Sequence, residues 1–384
     1  DVRSAPRGVL VVLAGGPGQP GVPFAVRARE RLGAAARGRR LVLLDQRGTG
    51  GGALRCPALQ RAMGTSDLAA PPAAAVRGCA RLVGARRADY TTADTVADLD
   101  DLRRALRAPR LSLYGTSYGT FVAERYALAH PATTGRLVLD SVVPHAGVAA
   151  LDVEGMRATA RVLRDTCRTR RCPADPARDL AAVVRRRAGG VDGVALLDTL
   201  TALSIVAPEF RGVPEALHAA AAGAPRRLRR LVAAVARAQR APASFLSQGL
   251  HAATLCAESR LPWQVDAPLA GRRAALARAG AALGPGATWP FDTATATGNG
   301  LVRQCLPWPP VPRPAPVAAD LPPVPALLLA GDRDLSTPLA WAREEAAHAP
   351  RGELVVARGS GHGVLRQVRG GPVRRALERF LQAR

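Results

Sequence analysis

Short apolar runs alternate with helical patterns in the first part of the chain. Four runs rich in valine and leucine have the length of buried strands: Val9–Leu13, Leu41–Leu44, Leu111–Tyr114 and Leu137–Leu139. Asp94–Leu106 instead places apolar residues at helical spacing, with acidic residues toward its start. Continuous apolar runs of this length are typical of strands buried on both faces, and such strands occur in parallel sheets covered by helices. The pattern predicts an α/β fold with a doubly wound, mostly parallel sheet.

The pattern changes from about Ala146 to about Pro316. Helical stretches rich in alanine and arginine dominate there, and strand-like runs disappear. The segment ends in a stretch too rich in proline for a helix or a central strand (Pro307, Pro309, Pro310, Pro312, Pro314 and Pro316). We therefore predict a helical cap insertion over residues 146–316, between an N-terminal core part (1–145) and a C-terminal core part (317–384).

The alternation of strands and helices resumes after the proline stretch. Ala326–Leu329 and Leu354–Ala357 have the character of strands. Pro338–His348 and Val364–Leu381 have the character of helices, the second closing the fold.

The charge of the chain is large but evenly spread. The formal net charge is +24, and all 54 basic residues are arginines. A coding bias toward Arg, Ala, Gly and Pro accounts for this composition, and attraction to an anionic cell surface or an acidic substrate is the functional alternative. No zinc-finger spacing and no aromatic-rich RNA-binding run is present, so we expect no nucleic-acid partner.

The six cysteines form an even set without metal-ligand spacing: Cys56, Cys79, Cys167, Cys172, Cys256 and Cys305. Disulfides fit this set better than zinc, and we expect pairing in sequence order, although the sequence leaves other connectivities open. Three disulfides indicate an oxidising compartment; free buried thiols in a cytosolic enzyme are the alternative.

The sequence predicts a protein that is secreted or associated with the cell envelope. No apolar run approaches the length of a membrane-spanning helix, so we expect no membrane span. The chain starts at Asp1 without an initiating methionine, and we expect that a signal peptide has been removed.

A serine with the surroundings of a nucleophile follows the third apolar run. Gly115–Gly119 reads GTSYG, and the helical pattern Phe121–His130 comes directly after it. This strand–turn–helix context is what a nucleophile elbow requires, and it makes Ser117 the candidate nucleophile. A serine hydroxyl needs a base to take its proton and an acid to orient that base.

Candidates for the acid and the base follow the two late strands. Gly331–Asp334 (GDRD) comes after one strand and Gly361–Gly363 (GHG) after the other, which gives the order serine, acid, histidine. We assign Asp334 as the acid and His362 as the base, and expect Asp332 to bind the turn backbone.

An oxyanion also needs backbone N–H donors. Gly15–Gly18 (GGPG) ends the first strand, so we assign the N–H groups of Gly16 and Tyr118 to the oxyanion hole. No phosphate-binding glycine pattern is present, and we expect neither a cofactor nor a metal.

Five motifs together resemble the prolyl iminopeptidase and tripeptidyl aminopeptidase branch of the α/β-hydrolases, as found in secreted actinobacterial proteins. They are Gly15–Gly18, Asp45–Gly50 (DQRGTG), Gly115–Gly119, Gly331–Asp334 with Thr337-Pro338, and Gly361–Gly363. The resemblance covers most of the core and little of the insertion. It implies an α/β-hydrolase fold and an exopeptidase that releases amino acids or short peptides from a free N-terminus through an acyl-enzyme.

The resemblance also implies how the substrate is held. Family members bind the substrate α-ammonium with carboxylates of the cap, for which Glu258 is the candidate here; a solvated surface glutamate is the alternative. Gly15 is the second candidate for substrate binding. The DQRGTG loop is expected to be structural, with Arg47 paired to a carboxylate. Where many relatives have a serine after this motif, the chain has Gly51-Gly52.

Two other functions compete with the aminopeptidase. The same triad in a carboxylesterase or lipase would act on esters instead of peptides. A non-catalytic protein on this scaffold, bound to anionic envelope polymers through its arginines, is the third hypothesis.

Overall fold

A six-stranded sheet lies at the centre of the molecule. The computed structural model describes residues 5–168, 170–315 and 317–383; Asp1 and the predicted boundary residue Pro316 lie outside them. The strands are β1 (Val9–Leu13), β2 (Arg40–Leu43), β3 (Leu111–Ser117), β4 (Thr134–Val142), β5 (Ala326–Gly331) and β6 (Gly352–Ala357). Their order is β2-β1-β3-β4-β5-β6, and every neighbouring pair is parallel. The predicted parallel sheet is confirmed.

Helices separate the strands and follow the last one. In chain order they are α1 (Ala25–Leu32), α2 (Pro57–Met63), α3 (Ala73–Val83), α4 (Thr92–Ala105), α5 (Tyr118–Ala129), α6 (Val153–Cys167), α7 (Pro176–Arg186), α8 (Gly193–Val206), α9 (Val213–Ala221), α10 (Arg226–Ala238), α11 (Gln248–Glu258), α12 (Arg272–Ala281), α13 (Thr293–Gly298), α14 (Gly300–Cys305), α15 (Leu339–Ala347), α16 (Val364–Gln367) and α17 (Gly371–Gln382).

Helices cover both faces of the sheet because alternate strand residues point to opposite sides. On β1, Val9, Val11 and Leu13 pack with α4, α5 and α15, whereas Leu10 and Val12 pack with α1, α16 and α17. All five β1 side chains are buried, as expected for a strand enclosed by helices on both sides. The sheet is therefore doubly wound.

The prediction of one closing helix over Val364–Leu381 is wrong. The chain forms the short α16, leaves the helix at Val368–Gly370 and starts again as α17. Gly371 has a φ of 78° and Pro372 follows it at the start of α17. A left-handed glycine before a proline ends one helix and permits another to begin, and the apolar periodicity across the break did not reveal it.

The helices α6–α14 between β4 and β5 form a layer with its own hydrophobic cluster, and we call this layer, with α2 and α3, the cap layer. Within the described residues this segment contributes no strand to the sheet, and only an isolated bridge joins Ala149 to Arg260. The cluster also takes in Leu59 and Met63 of α2 and Val76 of α3, which precede the insertion in sequence. The layer over the sheet is thus built from two separate parts of the chain.

Three disulfides tie this layer together. Cys56 bonds to Cys79, Cys167 to Cys172 and Cys256 to Cys305, which confirms the pairing in sequence order. The first joins α2 to α3 and the third joins α11 to α14. In the part of the chain that the structure describes, no helix combines the length and the apolar character needed to cross a membrane.

Loss of the third disulfide is expected to destabilise the protein more than loss of the second. Cys256 and Cys305 are 49 residues apart in sequence, whereas Cys167 and Cys172 are 5 apart. A bond that closes a longer loop restricts the unfolded chain more. Replacing both cysteines of the long pair by serine should lower the free energy of unfolding by about 2–4 kcal/mol in urea titrations. The same change in the short pair is the control, and an equal loss there would contradict the prediction.

Candidate active site

Ser117 lies at a sharp turn between β3 and α5. Its φ is 58° and its ψ is −128°, a conformation that is costly for a residue with a side chain. A Cβ on Gly115 would lie 2.2 Å from the Gly119 carbonyl oxygen, and one on Gly119 would lie 2.5 Å from that of Leu13. Both glycines are therefore required by the close approach of β1, β3 and α5. This is the geometry of a nucleophile elbow.

Asp334 lies in the loop after β5, fully buried and held in one orientation. Its Oδ1 accepts the N–H groups of Ser336 and Thr337, both at 2.9 Å. Its Oδ2 accepts the hydroxyl of Thr337 at 2.7 Å and lies 2.9 Å from Nδ1 of His362. Asp332 accepts the backbone N–H of Gly359 at 2.7 Å. The structure thus pairs His362 with Asp334, and Asp332 bonds the turn backbone.

The loop that carries His362 is fixed from both the sheet and the cap layer. On β4, Asp140 accepts the N–H groups of Val364 at 2.7 Å and Leu365 at 3.1 Å. On α8, the carbonyl oxygen of Ser204 accepts the N–H of His362 at 3.1 Å. The Ser204 hydroxyl accepts the N–H of Leu335 at 3.1 Å, next to Asp334. One residue of the cap layer therefore binds both loops.

The contact with Ser204 also requires a glycine at position 361. A Cβ on Gly361 would lie 1.8 Å from the carbonyl oxygen of Ser204. Ser204 and Asp140 were not among the residues selected from the sequence. Asp140 follows a strand-like run and could have been noticed there, but nothing in the sequence near Ser204 signals its role.

The loop after β1 lies beside Ser117 because β1 and β3 are neighbours. Leu13 pairs with Gly115, so Gly15 and Gly16 come next to the elbow. A Cβ on Gly15 would lie 3.1 Å from Cβ of Ser117. The connection from β1 leads to β2 on one side of the sheet and the connection from β3 leads to β4 on the other side. Such a reversal leaves a crevice at the carboxyl ends of the two strands, where ligands bind in such folds.

A cavity of about 490 Å³ opens at this crevice. Ser117, His362, Gly15, Gly16 and Asp67 are among its lining residues. The predicted nucleophile and base therefore face one cavity. Nδ1 of His362 is directed at Asp334, which leaves Nε2 on the opposite edge of the imidazole.

A smaller cavity continues on the other side of Ser117. It is lined by Tyr118, Asp67, Asp152 and Trp341, among others. Two carboxylates, neither selected from the sequence, thus line a cavity together with Ser117. Asp152 is 5% exposed and stands just before α6. Asp67 lies 3.4 Å from Nε2 of the buried His251.

Glu258 occupies a third position, behind Tyr118. Its Oε2 accepts the hydroxyl of Thr92 at 2.6 Å, and its Oε1 accepts the N–H of the same residue. It lines a separate small cavity with Tyr118 and Leu255, and neither of the two cavities at Ser117 includes it. The Thr92 hydroxyl also bonds that of Tyr118 at 2.6 Å.

The DQRGTG loop makes hydrogen bonds to α4 and to Tyr118. Arg47 forms a bidentate pair with Asp98, at 2.8 and 2.6 Å, as the predicted carboxylate pairing required. Gln46 donates to the hydroxyls of Thr95 at 2.9 Å and Tyr118 at 3.4 Å. The loop therefore joins α4 to the residue that follows Ser117.

Burial and charge shift the pKa values of the acids around Ser117. Burial raises the pKa of Asp67. Burial, with the charges of Glu154 and Asp67, raises the pKa of Asp152 to about 8. Burial also raises the pKa of Glu258 to about 7. A cation entering the cavity would favour the charged forms of Asp67 and Asp152.

The pKa values of Asp334 and His362, in contrast, shift in the directions that favour the charged form of each group. Burial alone would raise the pKa of Asp334, but the charge and the hydrogen bond of His362 hold it below its ordinary value. Burial alone would lower the pKa of His362, but Asp334 raises it above its ordinary value. The geometry thus favours an imidazole that can accept a proton while its partner stays ionised. Among the described residues, no group of three or more His, Cys, Asp or Glu side chains is placed to hold a metal ion.

Two family models match the chain, one in each core part. A model described as the alpha/beta hydrolase fold matches residues 8–159, and one described as TAP-like protein matches residues 290–383. Together they span more than half of the sequence, and their order along the chain agrees with the fold described above. The chain has the α/β-hydrolase fold.

Curated relatives agree with the branch that the five motifs resemble. A tripeptidyl aminopeptidase of Streptomyces lividans is 31% identical over 158 residues, which are 37% of this chain and 29% of that protein. A probable proline iminopeptidase of Streptomyces coelicolor is 34% identical over 132 residues, 34% of this chain and 32% of that protein. The matched region thus spans less than a third of either relative. The resemblance to the tripeptidyl and prolyl aminopeptidase branch is confirmed.

Solved structures of α/β-hydrolases align along nearly the whole chain. A proline iminopeptidase of Mycobacterium smegmatis has a TM-score of 0.44 and 16% identity, and the alignment covers 98% of this chain and 89% of that one.

His362 of this α/β-hydrolase is expected to titrate above its ordinary pKa of 6.5. Asp334→Asn should lower the pKa of His362, since burial is then opposed only by the charge of Asp140. The raised pKa of His362 contributes stability to the fold, and this contribution is fully present below pH 6.5 and is lost as the pH rises through the folded pKa. The lowered pKa of Asp334 stabilises it above the unfolded value and is lost as the pH falls. NMR titration of the imidazole signals checks the shift, with His218→Gln used to assign them. A pKa of His362 that Asp334→Asn leaves unmoved would contradict the assignment.

Proposed function

We propose that the protein is a serine hydrolase of the aminopeptidase type, which releases amino acids or short peptides from a free N-terminus. The observation that carries this proposal is the pair of cavities that meet at Ser117, one lined by His362 and the other by two carboxylates, Asp67 and Asp152. A serine and histidine suit acyl transfer, and the carboxylates suit a substrate that brings a positive charge to the same place. The names of the curated relatives support the same activity.

In the proposed reaction Ser117 is the nucleophile and His362 the general base. The imidazole takes the proton of Oγ as Oγ bonds to the scissile carbonyl carbon, and Asp334 stabilises the resulting imidazolium. The N–H groups of Gly16 and Tyr118 stabilise the oxyanion. His362 then passes its proton to the leaving nitrogen as the C–N bond breaks. Water attacks the acyl-enzyme by the same route and regenerates Ser117.

The α-ammonium of the substrate is proposed to bind between Asp67 and Asp152. Both carboxylates face the smaller cavity, and burial holds their pKa values above the ordinary range. An ammonium returns both groups to the charged form, so that binding is selective for a free amine. Glu258, for which the family resemblance implies the same role, lies behind Tyr118 and is tested beside them.

We place this activity outside the cytoplasm. Three disulfides within the cap layer support an oxidising compartment, because such bonds persist in secreted proteins and are rare in the cytosol.

A fluorophosphonate probe is expected to label Ser117. The probe reacts with a serine that a neighbouring histidine activates, so Ser117→Ala should abolish labelling. The exposed Ser244 offers a matched control, and Ser244→Ala should label like the wild type. In-gel fluorescence with peptide mapping gives the readout. An unlabelled wild type, or a label that survives Ser117→Ala, would exclude Ser117 as the nucleophile.

Blocking the substrate amine is expected to remove most of the activity. An N-acetylated peptide amide should be cleaved far more slowly than the free form, since the acetyl group removes the charge that Asp67 and Asp152 recognise. Asp152→Asn should lower kcat/KM for the free form by about 30-fold or more, as expected for loss of one partner of a buried charge pair, and Asp67→Asn, at a side chain that is 37% exposed, should lower it by less. Fluorogenic aminoacyl, dipeptidyl and tripeptidyl amides, with a short-chain ester alongside, provide the measurement.

Two comparisons sharpen this experiment. Asp101→Asn removes an acid that is 75% exposed on α4 and should leave kcat/KM unchanged. Glu258→Gln tests the alternative amine site. An enzyme that is indifferent to acetylation and prefers the ester would be a carboxylesterase, and the aminopeptidase proposal would be wrong.

A further inference from the structure

The larger cavity leaves Ser117 in the direction of α1 and α16, where arginines line it. Arg27 and Arg31 belong to α1, Arg366 to α16, and Arg369 follows α16. We call these four residues the arginine rim. They lie at the opposite end of the site from Asp152, which lines only the smaller cavity.

The arginine rim carries charge that the protein does not neutralise. Within the described ranges, none of its four guanidinium groups has a carboxylate at ion-pair distance. Arg27 lies over the ring of Phe24 at 5.7 Å, and Arg366 donates to the carbonyl oxygen of His362 at 3.2 Å. Glu30 is the acid on this rim, against four arginines.

The rim arginines also repel one another. Burial lowers the pKa of Arg366 and the charge of Arg31 lowers it further, whereas the charges of Asp140 and Asp334 raise it in part. Like charges in a partly enclosed site are unfavourable unless an anion joins them. An arginine guanidinium matches a carboxylate in shape and can bind it through two parallel hydrogen bonds. The chemistry of the rim therefore fits a carboxylate ligand.

The site as a whole is electrically polar. Asp152 lines only the smaller cavity, Asp67 and Ser117 line both cavities, and His362 and the arginine rim line only the larger one. A short peptide with both ends free carries the complementary charges, an ammonium at one end and a carboxylate at the other. The cavity of about 490 Å³ also lies in the size range that holds small ligands.

We propose that the arginine rim binds the free α-carboxylate of the leaving segment, so that short zwitterionic peptides are the substrates. This inference rests on the proposed function for its direction, since it places the N-terminal part of the substrate beside Asp67 and Asp152. The rim itself is an anion-binding subsite that can be measured without turnover.

Binding to the Ser117→Ala protein tests the subsite directly. Two short peptides of one sequence are compared by calorimetry, one with a free C-terminal carboxylate and one with a C-terminal amide. The free acid should bind about tenfold more tightly at low salt, as charge-assisted bonds to arginine allow, and added salt should reduce the difference. The double change Arg27→Gln with Arg369→Gln should bring the ratio of the two Kd values close to one.

Arg29→Gln supplies the matched control. Arg29 is exposed on the same helix, α1, but is not part of the cavity lining. Its removal changes the net charge without changing the rim, and the Kd ratio should stay as in the parent protein. Equal binding of acid and amide, or the same loss in Arg29→Gln as in the rim variant, would overturn the proposal.

Turnover separates this proposal from the function on which it rests. Wild-type kcat/KM for the same two peptides should favour the free acid. A protein that cleaves acid and amide equally well would be an aminopeptidase without the proposed subsite. A protein that cleaves neither, yet binds the acid selectively as Ser117→Ala, would keep the subsite and lose the proposed aminopeptidase function.

Discussion

The close approach of three backbone segments around Ser117 is the constraint on which the site depends. β1, β3 and α5 meet so tightly that Gly115 and Gly119 leave no room for a side chain, and Ser117 is held at a positive φ between them. The pairing of β1 with β3 brings the Gly15-Gly16 loop to the same point. Strand order, backbone strain and the position of the nucleophile thus depend on one another, because a change in one would alter the other two.

The cap layer takes part in this arrangement as well as covering it. Ser204 of α8 binds the loops of both His362 and Asp334, and its carbonyl oxygen occupies the space that a side chain at position 361 would need. Ser247 bonds the carbonyl oxygen of Gly18 at 2.9 Å, which fixes the first loop in the same way. The geometry of the core loops therefore depends on helices that are far away in sequence. Substitutions in the cap can change the reaction without touching the substrate.

Features set by local sequence could be predicted, and features set by distant packing could not. The strands, the elbow and the order of Ser117, Asp334 and His362 follow from apolar runs and from the glycine loops after them. Asp67 and Asp152 have no such signal, since each becomes significant only when the fold places it in a cavity. Glu258 came from the family resemblance, which matches the insertion poorly, and the structure places it behind Tyr118. The prediction of one closing helix was wrong for a local reason: the apolar periodicity continues across Gly371 and Pro372, but the helix does not.

The hydrophobic cluster shared by α2, α3 and the insertion has a consequence for how ligands reach and leave the site. A lid that swings needs a hinge and a face that separates cleanly, but here two remote parts of the chain are packed into one cluster, and each part is held by a disulfide of its own, Cys56–Cys79 and Cys256–Cys305. Opening such a layer would disrupt its own core. Ligands are therefore expected to enter and leave through the larger cavity, along the arginine rim, where side-chain rotations suffice. Under the proposed function, turnover would then not require the motion of a domain.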